Sequence, residues 1–364
     1  MVSHAGPPSI RDARDSFAAL AGGVTDPRGK RPADEGAMRG GHPIEAERPL
    51  QLSFSKAALL SHLALIGLLG LFAWWLDSRP DRAILPPRTV ALHVEPVLFD
   101  PARFAPLRLA RAWRLTADDP RFGGVSGLAV DEAGLIALTD AGAVIRFARP
   151  TGRRATAVVM DLPTGPGRPG YKKHRDSEAL ARDPAGRGWW VAFENHHQLW
   201  LYDRNFSRAI GRIDLGEDRW PHNKGVEAML ADLGGLLLLP ENGEEVIRIR
   251  KAQAHRALLG KPIGRLSEAV RLPDRGILLI ARRAGPSGFR NALVPLLRGD
   301  RLGQPIALGL GRLDNAEALA AEPIAGGTRL WLMTDDNFSW PMRTLLVALD
   351  FPARRDPKPN PIKR

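Results

Sequence analysis

Asp176-Ser177-Glu178-Ala179-Leu180, followed by the apolar run at residues 189–193, is the stretch on which the fold turns, because related hairpins recur along the chain. The other openings are Val125-Ser126-Gly127-Leu128, Val226-Glu227-Ala228-Met229, Ser267-Glu268-Ala269-Val270 and Ala316-Glu317-Ala318-Leu319. Their last residues lie 52, 49, 41 and 49 positions apart, a period suited to four-stranded propeller blades. Each opening leads through a Gly-containing turn into a second apolar run, at residues 135–138, 189–193, 236–239, 277–281 and 330–333. Runs that are apolar at consecutive positions suit strands packed on both faces, as sheets stacked around an axis are. The chain is therefore expected to be all-β, a β-propeller with five visible repeats and five or six blades. A β-sandwich would have to produce five matching hairpins by coincidence. The segment at 107–115 is expected to supply an outer strand to the C-terminal blade and so hide two sheet edges.

Outward from the repeat, the ends of the chain have a different character. Residues 1–56 are rich in Gly, Pro, Ala and mixed charge, and read as a disordered or mis-started extension, with Met38 an alternative start. Residues 57–76 carry no charge and end in Trp74 and Trp75, long enough for a transmembrane helix with an interfacial aromatic belt. A cleaved signal peptide is the alternative, which would leave the protein periplasmic or secreted. The uncleaved reading makes membrane lipid a partner, with the chain held in a bacterial inner membrane and the propeller in the periplasm. Residues 77–106 read as a linker and first strand, 107–352 as the propeller, and 353–364 as a basic Pro-rich tail.

The net charge is +12, yet no arginine-rich helix, zinc-finger spacing or RNA-recognition motif directs that charge toward nucleic acid. The absence of cysteine excludes disulfides, thiolate metal sites and a cysteine nucleophile. There is no P-loop, dinucleotide fingerprint or EF-hand. Neither Gly124-Val125-Ser126-Gly127-Leu128 nor Gly285-Pro286-Ser287-Gly288-Phe289 completes a serine-hydrolase elbow.

The chemistry lies in the repeat itself. Ser126, Glu178, Glu227, Glu268 and Glu317 occupy one aligned position at the start of the first strand, and Asp140, Glu194, Glu241, Arg282 and Asp335 end the second. In an antiparallel hairpin these two places adjoin, so the pairs should gather on one rim of the ring. Clustered carboxylates need protons, cationic partners or a metal, and oxygen donors favour calcium or magnesium over zinc. The same acids could instead bond neighbouring backbone or pair with Lys224, Arg175, Arg282 and Arg283. Two non-repeating segments, Tyr171-Lys172-Lys173-His174-Arg175-Asp176 and His222-Asn223-Lys224-Gly225, are expected above the rim. There Lys224 and Arg175 could hold a phosphate or carboxylate, and His222 or His174 could move a proton.

Taken together, Phe122-Gly123-Gly124-Val125-Ser126-Gly127-Leu128 with Thr139-Asp140, Asp176-Ser177-Glu178-Ala179-Leu180, Asn223-Lys224-Gly225-Val226-Glu227-Ala228-Met229 with Pro240-Glu241-Asn242, and Asn315-Ala316-Glu317-Ala318-Leu319 with Asp335-Asp336-Asn337 resemble the bacterial phytase-like family, described as having esterase-like activity. The resemblance covers about residues 111–352, with Glu-Ala-Leu or Glu-Ala-Met where that family commonly shows Glu-Gly-Leu. It implies a β-propeller hydrolase of ester or phosphate-ester bonds, with calcium as the cofactor. Asp140, Glu178, Glu227, Glu241, Glu317 and Asp335 would then hold the metal. Glu178, Glu227 and Glu317 would be catalytic, and Lys224, Arg175, His222 and His174 would bind substrate. The alternative is a non-catalytic envelope propeller that binds a ligand or a protein through the same acidic mouth.

Overall fold

The computed structural model describes residues 83–216, 225–251, 253–273 and 276–352, together with Ser61, Leu65 and Gly67. Two N-terminal strands, β1 (Arg88–Pro96) and β2 (Arg108–Ala117), precede the repeats. The first blade is β3 (Val125–Val130), β4 (Leu135–Thr139), β5 (Ala143–Phe147) and β6 (Arg154–Asp161). The second is β7 (Ser177–Arg182), β8 (Gly188–Phe193), β9 (Gln198–Asp203) and β10 (Ala209–Asp214), and the third is β11 (Val226–Asp232), β12 (Gly235–Pro240), β13 (Glu245–Arg250) and β14 (Gln253–Leu258). The fourth contains β15 (Arg265–Leu272), β16 (Gly276–Gly285) and β17 (Gly288–Leu297), edged by the short β18 (Arg301–Leu302) and β19 (Ile306–Ala307). The fifth contains β20 (Asn315–Ile324), β21 (Gly327–Asp335) and β22 (Leu345–Pro352), and β2 completes it from the other end of the chain.

The five inner strands close a ring: β3 lies against β7, β7 against β11, β11 against β15, β15 against β20, and β20 against β3. Five apolar clusters fill the five interfaces between blades, one cluster to each. Strand β12 shows why its sequence is apolar without interruption. Leu236 and Leu238 pack toward the second blade, whereas Leu237 and Leu239 pack toward the fourth. Both faces of the strand are interior, and Leu237 has no exposed surface. Among the described residues the blade count is thus five, the lower of the two expected numbers.

The outer strand anticipated at 107–115 is present as β2, paired antiparallel to β22 from Arg108↔Asp350 to Arg114↔Leu345. The pairing of β1 was not anticipated. It joins β2 on one side and β6 on the other, so the fifth and first blades share one nine-stranded sheet and neither leaves an open outer edge there.

Residues 1–56 and 353–364 lie outside the described residues. So does the span expected at 57–76, apart from Ser61, Leu65 and Gly67, which are helical. Among the described residues no helix is long and apolar enough to cross a membrane.

Candidate functional site

The two strands of each inner hairpin meet at one end of the ring, and there the pairing slips by one residue in every blade. The slip falls between Val125 and Gly127, Ser177 and Ala179, Val226 and Ala228, Leu266 and Glu268, and Ala316 and Ala318. A bulge of this kind leaves one residue without a ladder partner and re-aims its side chain. The bulged residues are Ser126, Glu178, Glu227, Ser267 and Glu317. Four of these, all but Ser267, line one cavity of about 270 Å³.

The fourth hairpin corrects the sequence alignment. Its bulge falls on Ser267, so Ser267 and not Glu268 is the structural counterpart of Glu178, Glu227 and Glu317. The hydrogen bonds agree: Ser126 Oγ donates to Ser177 O of the next blade at 2.6 Å, and Ser267 Oγ donates to Ala316 O of the next blade at 3.0 Å. Glu268 occupies the place held by Gly127, Ala179, Ala228 and Ala318 elsewhere. It is 1% exposed and its Oε1 accepts the Ala269 N–H at 2.9 Å. Its carboxyl is absent from the cavity lining, and burial pushes its pKa well above the usual range.

The ends of the second strands bring Asp140, Glu194, Glu241, Arg282 and Asp335 to the same cavity. Two further charged residues, Lys172 and Asp176, come from the short helical turn Lys172–Arg175 and the residue after it. Lys172 Nζ stands 2.9 Å from Asp140 Oδ2 and 3.4 Å from Asp176 Oδ1. Across the cavity, Arg282 Nη1 donates to Glu317 Oε1 and, at 3.2 Å, to Asn315 Oδ1, while Asn315 Nδ2 donates to Glu317 Oε1 at 2.6 Å. Arg265 Nη1 reaches Glu241 Oε1 at 2.7 Å.

Eight carboxyl groups facing two cations cannot all ionise without large cost in so enclosed a place. Burial, then facing carboxylates, raises Glu194 to about 7, with Asp176 the strongest of the like charges. Burial lifts Asp335 to about 7 and Glu317 to about 8, the latter against the pull of Arg282. Glu178 and Glu227 are pushed well above the usual carboxylate range by burial and by the acids around them. Asp140 is also raised by burial, although Lys172 opposes the shift, and its Oδ1 is buried with no hydrogen-bond partner. Burial works to lower the Lys172 ammonium, but Asp140, Asp176 and Glu178 hold it above its ordinary value.

The tightest grouping of oxygen donors is Asp176, Glu178 and Glu194, with one oxygen from each within 4.8 Å of the others. All three belong to the second blade or the turn leading into it. Of the six expected metal ligands, Glu178 alone belongs to this trio. Asp140, Glu227, Glu241, Glu317 and Asp335 share the cavity but stand outside the trio, and Glu241 and Glu317 already face arginines. The donor set of the trio fits a hard cation, because only carboxylate oxygen is offered.

Two expected substrate-binding residues do not line the cavity. Arg175 is 4% exposed and points into the interior, where a Cβ built on Gly165 would meet its Nη1 at 2.1 Å and the Tyr202 hydroxyl at 3.2 Å. Burial lowers its pKa. His174 accepts the Arg168 N–H at 2.7 Å through Nδ1 and meets the Tyr171 and His196 rings edge-on, so it holds the 165–171 loop. Lys224 and His222 lie outside the described residues. Lys172, one of the basic run Lys172-Lys173-His174-Arg175, is the cation that reaches the acids. No signal in the sequence separates it from Lys173 or Arg175.

Ser126 lines the cavity, but its hydroxyl is engaged by the neighbouring blade's backbone. Asp336 is likewise structural: it accepts from Gly124 N, Phe338 N and the Thr344 hydroxyl. Asn337 and Asp335, on the same loop, face the cavity.

No curated protein sequence matches the chain. Among solved structures, the crystal structure of Myxococcus xanthus glutaminyl cyclase is similar at 13% identity and a TM-score of 0.45, over 67% of this chain and 96% of that one. A catalytically inactive virginiamycin B lyase from Staphylococcus aureus, with quinupristin, is similar at 10% identity and a TM-score of 0.40, over 73% and 99%. The PQQ-bound form of aldose sugar dehydrogenase from Streptomyces coelicolor gives 13% identity and a TM-score of 0.37, over 63% and 94%. Residues 120–338, which span all five inner hairpins and every charged residue of the cavity, match the phytase-like family described as "esterase-like activity of phytase", and the chain belongs to that family.

Proposed function

We propose that the propeller is a divalent-cation-assisted hydrolase of ester or phosphate-ester bonds, with its reaction centre in the acidic mouth. The observation that carries this reading is the trio Asp176, Glu178 and Glu194, whose oxygens lie within 4.8 Å of one another in a cavity of raised carboxyl pKa values. The family description supports the choice of ester chemistry. Asp176, Glu178 and Glu194 would hold the cation, with Asp140 next to them through Lys172. Bound there, calcium or magnesium would supply a Lewis acid for an ester or phosphoryl oxygen.

The remaining roles follow from the side chains themselves. Glu227 feels the charges of both Glu178 and Glu317, and once ionised it can take a proton from water. Lys172 and Arg282 stand on opposite sides of the cavity and can steady an anionic oxygen, which replaces the role expected of Arg175. Anchoring at residues 57–76, with the propeller in the periplasm, belongs to the same proposal and rests on the sequence.

The test is hydrolysis of a panel of carboxylate and phosphate esters by the purified full chain, with calcium, magnesium or chelator. Turnover that requires cation and falls at least about 100-fold in Glu178→Gln and Glu194→Gln is the expected result. A second reading, a non-catalytic propeller that binds a ligand at the mouth, is favoured by the pairing of Glu317 with Arg282 and of Asp140 with Lys172. Cation binding without turnover of any ester would establish it instead.

A further inference from the structure

At the end of the propeller opposite the mouth, the third blade places leucine where a turn ordinarily rejects it. Strands β11 and β12 pair as far as Asp232↔Gly235, so Leu233 and Gly234 form a two-residue hairpin tip. Both have positive φ, 41° and 82°. Such a tip favours Asn, Asp or Gly at its first position, because a Cβ is strained there. Leu233 bears that strain with its side chain 82% exposed, gaining no burial within the chain in return.

The surroundings of this tip are basic. Asp232 accepts from Arg250 at 3.0 Å and from Arg271 at 2.6 Å, and Arg248 spans to Asp300 of the fourth blade at 2.9 Å. These bonds tie β13 and the end of β11 to β15 and to the turn at Asp300, with three arginines to two carboxylates among the bonded residues. Lys251 on the next turn of the third blade is exposed. In the fourth blade, Leu297 is 45% exposed at the end of β17 and is followed by exposed Arg298 and Arg301.

An exposed leucine at a hairpin tip and another at a strand end, set among arginine and lysine, suit entry into the headgroup layer of an anionic bilayer, where apolar burial and attraction to anionic lipid act together. We propose that the reverse face of the third and fourth blades docks on anionic phospholipid, Leu233 and Leu297 entering the interface while Lys251, Arg298 and Arg301 meet the headgroups. A nucleic acid would satisfy the charges but would leave the leucines without a partner.

The chain contains no cysteine, which permits a site-specific test on the full protein. Leu233→Cys carries an environment-sensitive fluorophore at the reverse face. Leu258→Cys carries it at the mouth end, where Leu258 is 80% exposed and pairs with Glu245. Each labelled protein is titrated with vesicles of phosphatidylcholine alone or of phosphatidylcholine with phosphatidylglycerol. The expected result is a blue-shifted, intensified emission at position 233 with the anionic vesicles only, and none at position 258. Adding Lys251→Gln and Arg298→Gln should weaken the apparent vesicle affinity by roughly 30-fold. An equal response at both positions, a response to neutral vesicles, or no response at position 233 would overturn the proposal. So would an equal response to a single-stranded oligonucleotide, which would make the face a general polyanion site.

Discussion

Raising the pH of the cation-free protein from 5 to 8.5 should destabilise it, the reverse of what salt-bridged surface carboxylates produce. Glu317 sets the size of the effect. Its carboxyl titrates at 4.5 ordinarily and at about 8 in the folded mouth. The folded group keeps a proton that the unfolded group has lost, so its contribution to stability is complete below about pH 4.5 and is lost as pH rises through about 8. At about 1.4 kcal/mol per pH unit, the part of that span lying between pH 5 and 8.5 amounts to about 4 kcal/mol. Asp335 and Glu194, both raised to about 7, act in the same direction. Their shifts share one set of like charges with that of Glu317, so the sum is smaller than three separate terms. Carboxylates depressed by arginine, such as Asp183 at about 2, have given their full stabilisation well below pH 5 and stay out of this window. For a domain of this size, about 4 kcal/mol corresponds to a fall in Tm on the order of 10 °C. Thermal unfolding followed by circular dichroism across that range, in chelator, measures it. Millimolar calcium should recover most of the loss at pH 8.5, because an ion that binds the ionised cluster only in the folded state replaces the protons. A Tm that stays level or rises from pH 5 to 8.5 in chelator would refute the reading of the mouth as a set of strained acids.

Ser126→Ala and Ser267→Ala each remove one inter-blade hydrogen bond, and each should cost about 1–2 kcal/mol in urea unfolding while Ser126→Ala leaves any ester turnover intact. Loss of turnover with unchanged stability would make Ser126 a nucleophile. Glu268→Gln should stabilise the protein more at pH 8 than at pH 5, because the amide needs no proton to remain neutral in its buried slot; equal effects at the two pH values would disprove that cause. Gly124→Ala should destabilise by about 1–3 kcal/mol, since φ is +56° there and the new Cβ would fall 2.2 Å from the Phe338 ring. Displacement of the loop that carries Asp335 and Asn337 would appear as weakened cation binding in calorimetry.

How far the sequence could be read depended on whether a residue's environment repeats. The second strands announced themselves because both of their faces are interior, as the alternation of Leu236 to Leu239 between two interfaces shows. The gathering of acids at one end followed from hairpin geometry alone. Register did not follow. A one-residue slip moves a side chain to another face, and Ser267-Glu268 looks like Ser177-Glu178 although its bulge falls one place earlier. The direction of side chains in a single-copy segment was equally hidden. The turn Lys172–Arg175 sends Lys172 to the mouth and Arg175 into the interior, a choice made by packing against the 165–171 loop and Tyr202. The double pairing of β1 was hidden for a related reason, because Thr89 to Glu95 alternates as an ordinary edge strand would.

The bulge also explains why a ring built from repeats has a one-sided site. Each blade delivers one bulged residue and one second-strand end to the same rim, so five identical blades would have spread their acids evenly. The fourth blade delivers Ser267 and Arg282 instead of two acids, and Arg282 faces Glu317 of the fifth. Arg265, from the fourth blade as well, reaches Glu241 of the third. Compensation is thus concentrated on the side of the fourth blade, and the acids left with the least of it are those of the second. There Asp176 precedes the hairpin, Glu178 bulges from its first strand and Glu194 follows its second, with Lys172 shared between Asp140 and Asp176. A cation drawn to the mouth would meet its least compensated oxygens beside the second blade, while Arg282 on the far side remains placed to meet an anionic oxygen. Moving that imbalance is therefore the way to move the site: Arg282→Gln should leave Glu317 and Glu227 without their nearest positive charge, raise both further, and shift proton uptake toward the fifth blade without a change in fold.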